Sequence, residues 1–516
     1  MKIALLSSGG RSLGLEYIAA YLKKAGHEVK VIFDPALYYI LESSLVTSSF
    51  HGFYKYSPDI INQVINEVIR YKPDLIGFSV FYDTYGFACT IAGKIKEIID
   101  TPIIFGGLHP SSVPQIVIQE EAVDYICVGE GEEAIVELAD SLEKGKEVEG
   151  IANIWGKKNG RVFKNPPRAL ISDLDSLPFP YEGLDPDRYT QFYRMYITTT
   201  SRGCYNQCTY CYNSSVLWRK IYYNQKHFVR RRSVDNVVQE LKKVKELSKI
   251  KYISFGDTIF CSDMDWLREF SKKYRREVNI PFLCEINSNY ANEEMVDLLE
   301  EANCAIAELG LQTIGENLRQ RVLKRFDTNE QIALTINAFK NSRTNLVAHI
   351  MLNLPGQDEK ELEDTAIFLS KYSPDSISIL PLQYFPKTEI IEIAREQGIL
   401  SEKDILQIEE NKQYVPFGIG NTFSSKQLPQ NKNILRNKKL ANLLLISRTF
   451  HPGVMRVLTE KKFYKYIMPL LNIYYFFYRI IVAAYKILGK KKRHFNFFTI
   501  INPLKFLIWR RLGRNN

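Results

Sequence analysis

The chain has 516 residues, 45% of them hydrophobic and 24% charged, with 31 Tyr and 29 Phe. That is enough apolar material for two or three domains with separate cores, and it excludes disorder on a large scale. The eight cysteines are too sparse for a disulfide scaffold, and the net charge of +10 is unevenly placed, because residues 461–516 carry +13 with no Asp or Glu and residues 1–460 therefore carry −3.

The N-terminal MKIALLSSGG has no basic region followed by a long apolar run, so no secretory signal is read there and a reducing cytoplasm is expected. KIALL is a short apolar strand, followed by the turn-like SSGGRS. The helical pattern LEYIAAYLKKAGH is stopped by Gly26, and VKVIF is a second strand. PDLIGFSV, TPIIFGG and VDYICVGEGE continue as strands, with FACTIAGKIKEIID as a helix between the first two. Strands alternating with helices predict a doubly wound parallel sheet over 1–145, with ligands at the carboxyl ends of its strands.

Residues 146–190 read as a connector: a small strand pair (IANIWG, RVFKN) and then the Pro- and Asp-rich LISDLDSLPFPYEGLD. The alternation resumes over 191–400, with strands expected at 196–200, 252–255, 282–286, 305–311, 347–353 and 377–382. Six such units suit a partial barrel. A helical region follows over 401–516.

Chemistry concentrates in TTTSRGCYNQCTYCYNSS, where Cys204, Cys208 and Cys211 form a CxxxCxxC pattern after an apolar strand and a glycine. Thiolates are soft ligands that suit iron–sulfur clusters or zinc. Three on one loop leave one iron of a 4Fe–4S cluster open, able to take S-adenosylmethionine (SAM) through its amine and carboxylate. A structural zinc would want four ligands, commonly from two knuckles. No second knuckle exists, and Cys261, Cys284 and Cys304 stand singly.

This segment closely resembles the signature of the radical SAM superfamily, in which an aromatic, here Tyr210, precedes the third cysteine and lies near the adenine. The resemblance covers about 195–400. It implies a (β/α)6 barrel and places YISFGDTIF, with Gly256 and Asp257, at the motif that contacts the SAM amine. AELGLQTIGENLRQRVLKR resembles the strand and turn carrying Glu308, Gly310, Gln312 and Thr313, with the basic Arg325 behind. HIMLNLPGQDEKELEDT and LPLQYFPKTEI resemble later segments, with Asn353 and Lys387 where Gly is usual.

Residues 1–145 resemble the cobalamin-binding domain that precedes such barrels, through SLGLEYIAAYLKKAGHEV, PDLIGFSV, IIFGGLHPSSVP and ICVGEGE. The resemblance implies that Gly106, Gly107, Gly129, Glu130 and Gly131, at strand ends, approach a corrinoid. No DxHxxG segment is present, so a bound cobalamin should lack a protein histidine ligand. A doubly wound domain without corrinoid, used for substrate or subunit contact, is the other reading.

The tail runs YIMPLLNIYYFFYRIIVAAY and FNFFTIINPLKFLIWRRLG flank the cluster KKKR. Interruption by Pro469, Asn472 and Arg479 argues against a spanning helix, and aromatics among Lys and Arg suit peripheral contact with the inner membrane face. A packed helical cap is the alternative, and nucleic acid is not expected as a partner. The resemblance implies reductive cleavage of SAM and, with cobalamin, methylation of an unactivated carbon of a small or lipid-like substrate, with electrons from a flavodoxin or ferredoxin. Ring formation or oxidation without methyl transfer, and a non-enzymatic redox sensor, are the competing expectations.

Overall fold

Apolar runs and helices alternate into two parallel sheets joined by a short connector. The computed structural model describes residues 1–7, 12–33, 58–183, 195–247, 250–411, 434–467, 469–471 and 473.

The first sheet contains β1 (Lys2–Ser7), β2 (Glu28–Phe33), β3 (Leu75–Ser79), β4 (Ile103–Gly106), β5 (Tyr125–Cys127), β6 (Ile154–Lys158) and β7 (Arg161–Lys164), in the order β2-β1-β3-β4-β5-β6-β7. β1 to β5 pair in parallel. Ile3, Ala4, Leu5 and Leu6 of β1 are all buried, as expected of a strand covered on both faces. The helix Leu13–Lys24 starts at Ser12, whose side chain accepts from the Leu15 N–H, and ends on Lys23 and Lys24, which suits its dipole. In such a sheet the order reverses between β1 and β3, and a ligand crevice opens at the carboxyl ends there. The two strands of the connector do not stand apart. β6 pairs antiparallel with β5 and β7 with β6, extending the first sheet to Lys164.

The second sheet is built from β8 (Met195–Thr198), β11 (Tyr252–Phe255), β12 (Phe282–Ile286), β13 (Cys304–Gln312), β14 (Asn345–Leu352) and β15 (Ser376–Pro381). The order is β15-β14-β13-β12-β11-β8, parallel throughout, so β8 and β15 are its edges and the barrel stays open. Between β8 and β11, the short β9 (Ser201–Arg202) and β10 (Arg230–Arg231) form an antiparallel pair. Alternation along the barrel strands is regular. Phe282, Cys284 and Ile286 are buried with the residues of the surrounding helices, while Leu283 and Glu285 are half-buried on the inner face. Glu308, Gly310, Gln312, Val347, His349 and Met351 fall on the same inner face.

The helices Ile434–Ser447 and Pro452–Glu460 pack on the helix Glu359–Tyr372. Among the described residues no helix is long and apolar enough to cross a membrane. Residues 474–516, the greater part of the basic aromatic tail, lie outside the described residues.

Candidate active site

The cysteine loop leaves the barrel through β9. Gly203 has φ +92°, and a Cβ there would lie 2.3 Å from the Phe228 carbonyl oxygen, so only glycine lets the chain turn under that backbone. Cys208 is buried, and Cys204 and Cys211 are half-buried, all three as free thiols. Ser214 and Ser215 hold the loop from within: both hydroxyls donate to the Cys208 carbonyl, at 2.5 and 3.1 Å, and Ser215 also donates to that of Thr209 at 2.9 Å. Thr209 ties it to the barrel through the Leu323 and Val322 carbonyls, and the Ile390 N–H donates to Thr209. A π-helical run, Asn213–Ile221, follows. Such wide turns recur at functional sites. The sequence reading did not single out Ser214 and Ser215, although a Ser pair after a cysteine loop is suited to side chain-to-backbone bonding.

Burial raises the Cys208 thiol, against the charge of Arg325. Burial together with Cys208 pushes Cys211 up to about 12. Buried thiols so destabilised as free thiolates call for a cation or cluster to hold them. One zinc would do so poorly. Among the described residues the groups with three ligand atoms within 4.8 Å of one another are His27, Asp140 and Glu143, and Glu285, Glu308 and His349; the cysteines are not such a group. A single zinc about 2.3 Å from each sulfur would need them that close, whereas the thiolates of a 4Fe–4S cluster each serve a different iron.

Tyr210, Gly310, Gln312 and Arg325 come together beside the loop. Arg325 lies against both Cys208 and Tyr210, and a Cβ on Gly310 would stand 2.9 Å from Gln312 Nε2 and 3.1 Å from Arg325 Nη1. Asp327 accepts from Arg325 Nε at 3.2 Å. Asp257 is elsewhere engaged. Its carboxylate is 1% exposed and accepts from the Thr200 N–H at 2.9 Å, the Thr200 hydroxyl at 2.7 Å and the Ser201 hydroxyl at 2.5 Å. It therefore fixes the turn leading into β9. Gly256, beside it, donates its N–H to the Thr198 carbonyl at 2.8 Å. Glu308 faces the lumen next to Glu285 and His349, neither of which the sequence reading named. Burial and Glu308 push Glu285 up to about 9. Burial would raise Glu308 too, but His349, 3.6 Å away, and Glu285 hold it low.

In the first domain Gly106 and Gly107 stand at the end of β4, where the Val80 N–H donates to the Gly106 carbonyl and the His109 N–H to that of Val80. Gly129 and Glu130 face the segment after the cysteine loop, whereas Gly131, opening the helix Glu132–Glu143, packs on Cys127 and Ile18 within the first domain. Gly129 has φ +90°, and a Cβ would overlap the Tyr222 hydroxyl, to which the Glu130 N–H donates at 2.7 Å. The Glu130 carboxylate accepts from Arg230 at 2.8 and 3.0 Å and from Arg202 at 3.2 Å. These partners come from the β9–β10 pair and the segment that follows the cysteine loop, and were not legible in the motif.

At the junction of the domains, Tyr82 meets Phe385 edge-on at 5.8 Å and Phe385 meets Tyr212 at 5.0 Å. Gln383 donates to Asp83 at 2.8 Å, and Asn411 to the Tyr82 carbonyl at 2.7 Å. Both ring nitrogens of the buried His109, whose ring lies 4.3 Å from Tyr85, lack a hydrogen-bond partner, while the buried Tyr212 hydroxyl faces Ser112 of the first domain. Unsatisfied buried polar groups are costly. The orphaned His109 nitrogens, just past the end of β4, fit a ligand with polar edges, such as a corrinoid, at the strand ends.

Comparison with known proteins agrees with this layout. The B12 binding domain model matches residues 3–139 and the Radical SAM superfamily model residues 198–369. An uncharacterized methyltransferase of Pyrococcus horikoshii is 27% identical over 77% of this chain and 81% of its own length. Cytidylyl-2-hydroxyethylphosphonate methyltransferase of Streptomyces wedmorensis is 23% identical over 76% and 79%. The solved cobalamin-dependent SAM radical enzyme OxsB, with aqua-cobalamin and SAM bound, shares the fold, with a TM-score of 0.64 at 17% identity over 95% of this chain and 73% of that one. A 4Fe–4S cluster, SAM and cobalamin are thus the cofactors of this fold pair. With a corrinoid domain opening onto a cysteine loop at the mouth of an open parallel barrel, the chain belongs to the radical SAM superfamily as an enzyme with an N-terminal B12-binding domain.

Proposed function

We propose that Cys204, Cys208 and Cys211 hold the 4Fe–4S cluster and that the enzyme methylates an unactivated carbon of a small or lipid-like substrate lying between the barrel mouth and the first domain. The observation that carries this reading is adjacency. Tyr212, next to Cys211, reaches the first domain through Phe385 and Tyr82, so the two cofactor sites open onto one space. When bound, the cluster cleaves SAM reductively and the corrinoid carries a methyl group; the protein supplies binding and orientation.

Tyr210, Gly310, Gln312 and Arg325 form the wall against which SAM lies. Arg325 contributes positive charge beside Cys208, and Asp327 fixes its direction. Gly310 leaves room where a side chain would press on Gln312 and Arg325. Asp257 and Gly256 act by holding the turn into the cysteine loop. Gly106 and Gly107, at the carboxyl end of β4, line the corrinoid. The loop Gly129–Gly131 acts by joining the domains, since Tyr222, Arg202 and Arg230 occupy it. A flavodoxin or ferredoxin supplies the electrons, and the basic tail holds the enzyme at the inner membrane face.

The test is anaerobic incubation of reconstituted protein with methyl-labelled SAM and cell extract. The expected result is 5′-deoxyadenosine together with label in a new product, about four irons per chain, and loss of all three when Cys204, Cys208 and Cys211 are changed to Ala. 5′-Deoxyadenosine with no methyl transfer would favour ring formation or oxidation. Zinc without iron after reconstitution would overturn the reading.

A further inference from the structure

The barrel lumen holds a cluster that cleavage of SAM does not need. Glu285 of β12, Glu308 of β13 and His349 of β14 come from three successive strands. Each places one ligand atom so that all three lie within 4.8 Å of one another. The sheet register fixes this. Glu285 stands opposite Glu308, and His349 stands opposite Gly310, two residues further along the inner face of β13. The three side chains therefore sit on a rigid frame rather than on loops. His349 Nε2 is buried, has no hydrogen-bond partner, and stands 3.6 Å from Glu308 Oε2, too far for a hydrogen bond. Around them the inner face is apolar, with Leu283, Ile306, Val347 and Met351 on the same strands.

Two carboxylates facing each other in a half-buried apolar wall repel unless a proton or a cation lies between them. A proton between the carboxylates still leaves His349 Nε2 3.6 Å from Glu308, beyond hydrogen-bond reach. A metal ion uses all three groups at once. We propose that Glu285, Glu308 and His349 form a binding site for a divalent transition metal of the manganese, iron(II) or zinc class. Two carboxylates and one imidazole are the donors such ions take, and three protein ligands leave further positions open. The open positions face the lumen. Resting on the proposed function, which puts the substrate at the barrel mouth, a substrate that also reaches into the lumen would be held by the metal through a carboxylate, phosphate or hydroxyl oxygen. Glu308 then serves the metal and not SAM.

The experiment is a titration of anaerobic holoprotein with MnCl2, its cluster kept in the diamagnetic oxidised state, following the six-line paramagnetic resonance signal of free Mn2+. About one Mn2+ per chain should bind, and ZnCl2 should displace it. Glu285→Gln and His349→Gln should each weaken binding by about tenfold or more, with thermal melting of each variant showing that it folds. Glu294→Gln, on the outer helix Glu293–Glu301 and paired with Arg268, should bind like the wild type. No binding by about 1 mM Mn2+, the weak end for such cations, would overturn the proposal. So would equal binding by all variants, which would mean an adventitious cation only. The titration uses no SAM cleavage, so its failure leaves the proposed reaction standing, and failure of methyl transfer leaves the metal site standing.

Discussion

Arg202 of β9, two residues before Cys204, donates through Nη2 to Glu132 Oε1 at 2.6 Å, across to the first domain. Both side chains are largely buried, at 18% and 5% exposure, and Glu132 opens the helix Glu132–Glu143 of the first domain. The loop that carries the cysteines is thus anchored to the corrinoid domain. Glu132→Ala would leave the buried Arg202 guanidinium with Glu130 alone, at 3.2 Å, and should cost part of the about 3 kcal/mol that orphaning a buried charge does. The expected outcome is a lower denaturation midpoint and poorer iron retention, both partly restored in Glu132→Gln, which keeps an acceptor. Denaturant titration with iron quantification checks this.

Glu130 gives the same boundary a dependence on pH. Burial alone would raise its carboxyl, but the hydrogen bond from Arg230 and the charges of Arg202 and Arg230 hold it below the ordinary value. A carboxylate depressed in the folded state adds stability that is complete above the unfolded value, about 4.3, and is lost as pH falls through the lower folded value. The stability that Glu130 adds should therefore be complete and independent of pH near neutrality and decline below about pH 4. In Glu130→Gln the part of that decline due to this residue should vanish. An unchanged acid profile in the variant would show that the interface does not use this charge.

Asp257 fixes the other side of the turn. Its carboxylate receives three donors from Thr200 and Ser201. Asp257→Asn would turn an NH2 group toward them, and a buried donor left unsatisfied costs about 1–3 kcal/mol. Reduced iron occupancy is the expected result, with the SAM affinity of the iron-loaded fraction little changed. Normal iron content with lost SAM affinity would return Asp257 to direct contact with the SAM amine.

For the corrinoid, His109 after β4 is no open ligand among the described residues. His109 is 0% exposed, and burial lowers its ring to about 3, so it stays neutral. Protein made with hydroxocobalamin should copurify with a corrinoid whose Co(II) resonance shows no nitrogen splitting, and His109→Phe should leave that spectrum unchanged. Nitrogen splitting that disappears in His109→Phe would make His109 the lower ligand.

The barrel strands were legible because each is a short apolar run ended by a turn; β11 and β12 were expected at 252–255 and 282–286, and are observed there. The cysteine loop was legible because its ligands share a few residues of chain. Glu130 was not. Its partners Arg202 and Arg230 lie 72 and 100 residues away, and a charge in a glycine-rich turn looks the same whether it meets a ligand or another domain. Glu285 and His349 were hidden likewise, since only parallel register brings three strands' polar residues to one level. The pairing of β6 onto β5 depends on which sheet edge is free, which local sequence does not encode.

The tail divides where the sequence showed one block. Tyr464 is 1% exposed and donates to Glu359 at 3.0 Å and to Glu363 at 2.9 Å. Lys462 reaches Glu363 at 2.5 Å, and Lys465 reaches Glu359 at 2.5 Å. Residues 461–471 are therefore part of the barrel's cover, with Leu471 also buried. Beside them Phe463, Tyr466, Leu470 and Ile473 are exposed, at the point where the basic aromatic segment begins. Truncation after Ile473 should keep the fold and SAM cleavage, and should abolish binding to anionic vesicles if the tail seeks membrane. Truncation after Glu460 removes Tyr464 and both lysines from Glu359 and Glu363 and should lower the melting temperature as well. Vesicle binding of the full chain should weaken with salt, because exposed charges are screened within about 8–10 Å at ordinary ionic strength. It should not vanish, because the aromatic side chains of the tail add apolar area that salt does not screen. If the full chain and the chain ending at Ile473 sediment alike with vesicles at low salt, the segment 474–516 has no part in membrane attachment, and the lipid-like substrate loses its support.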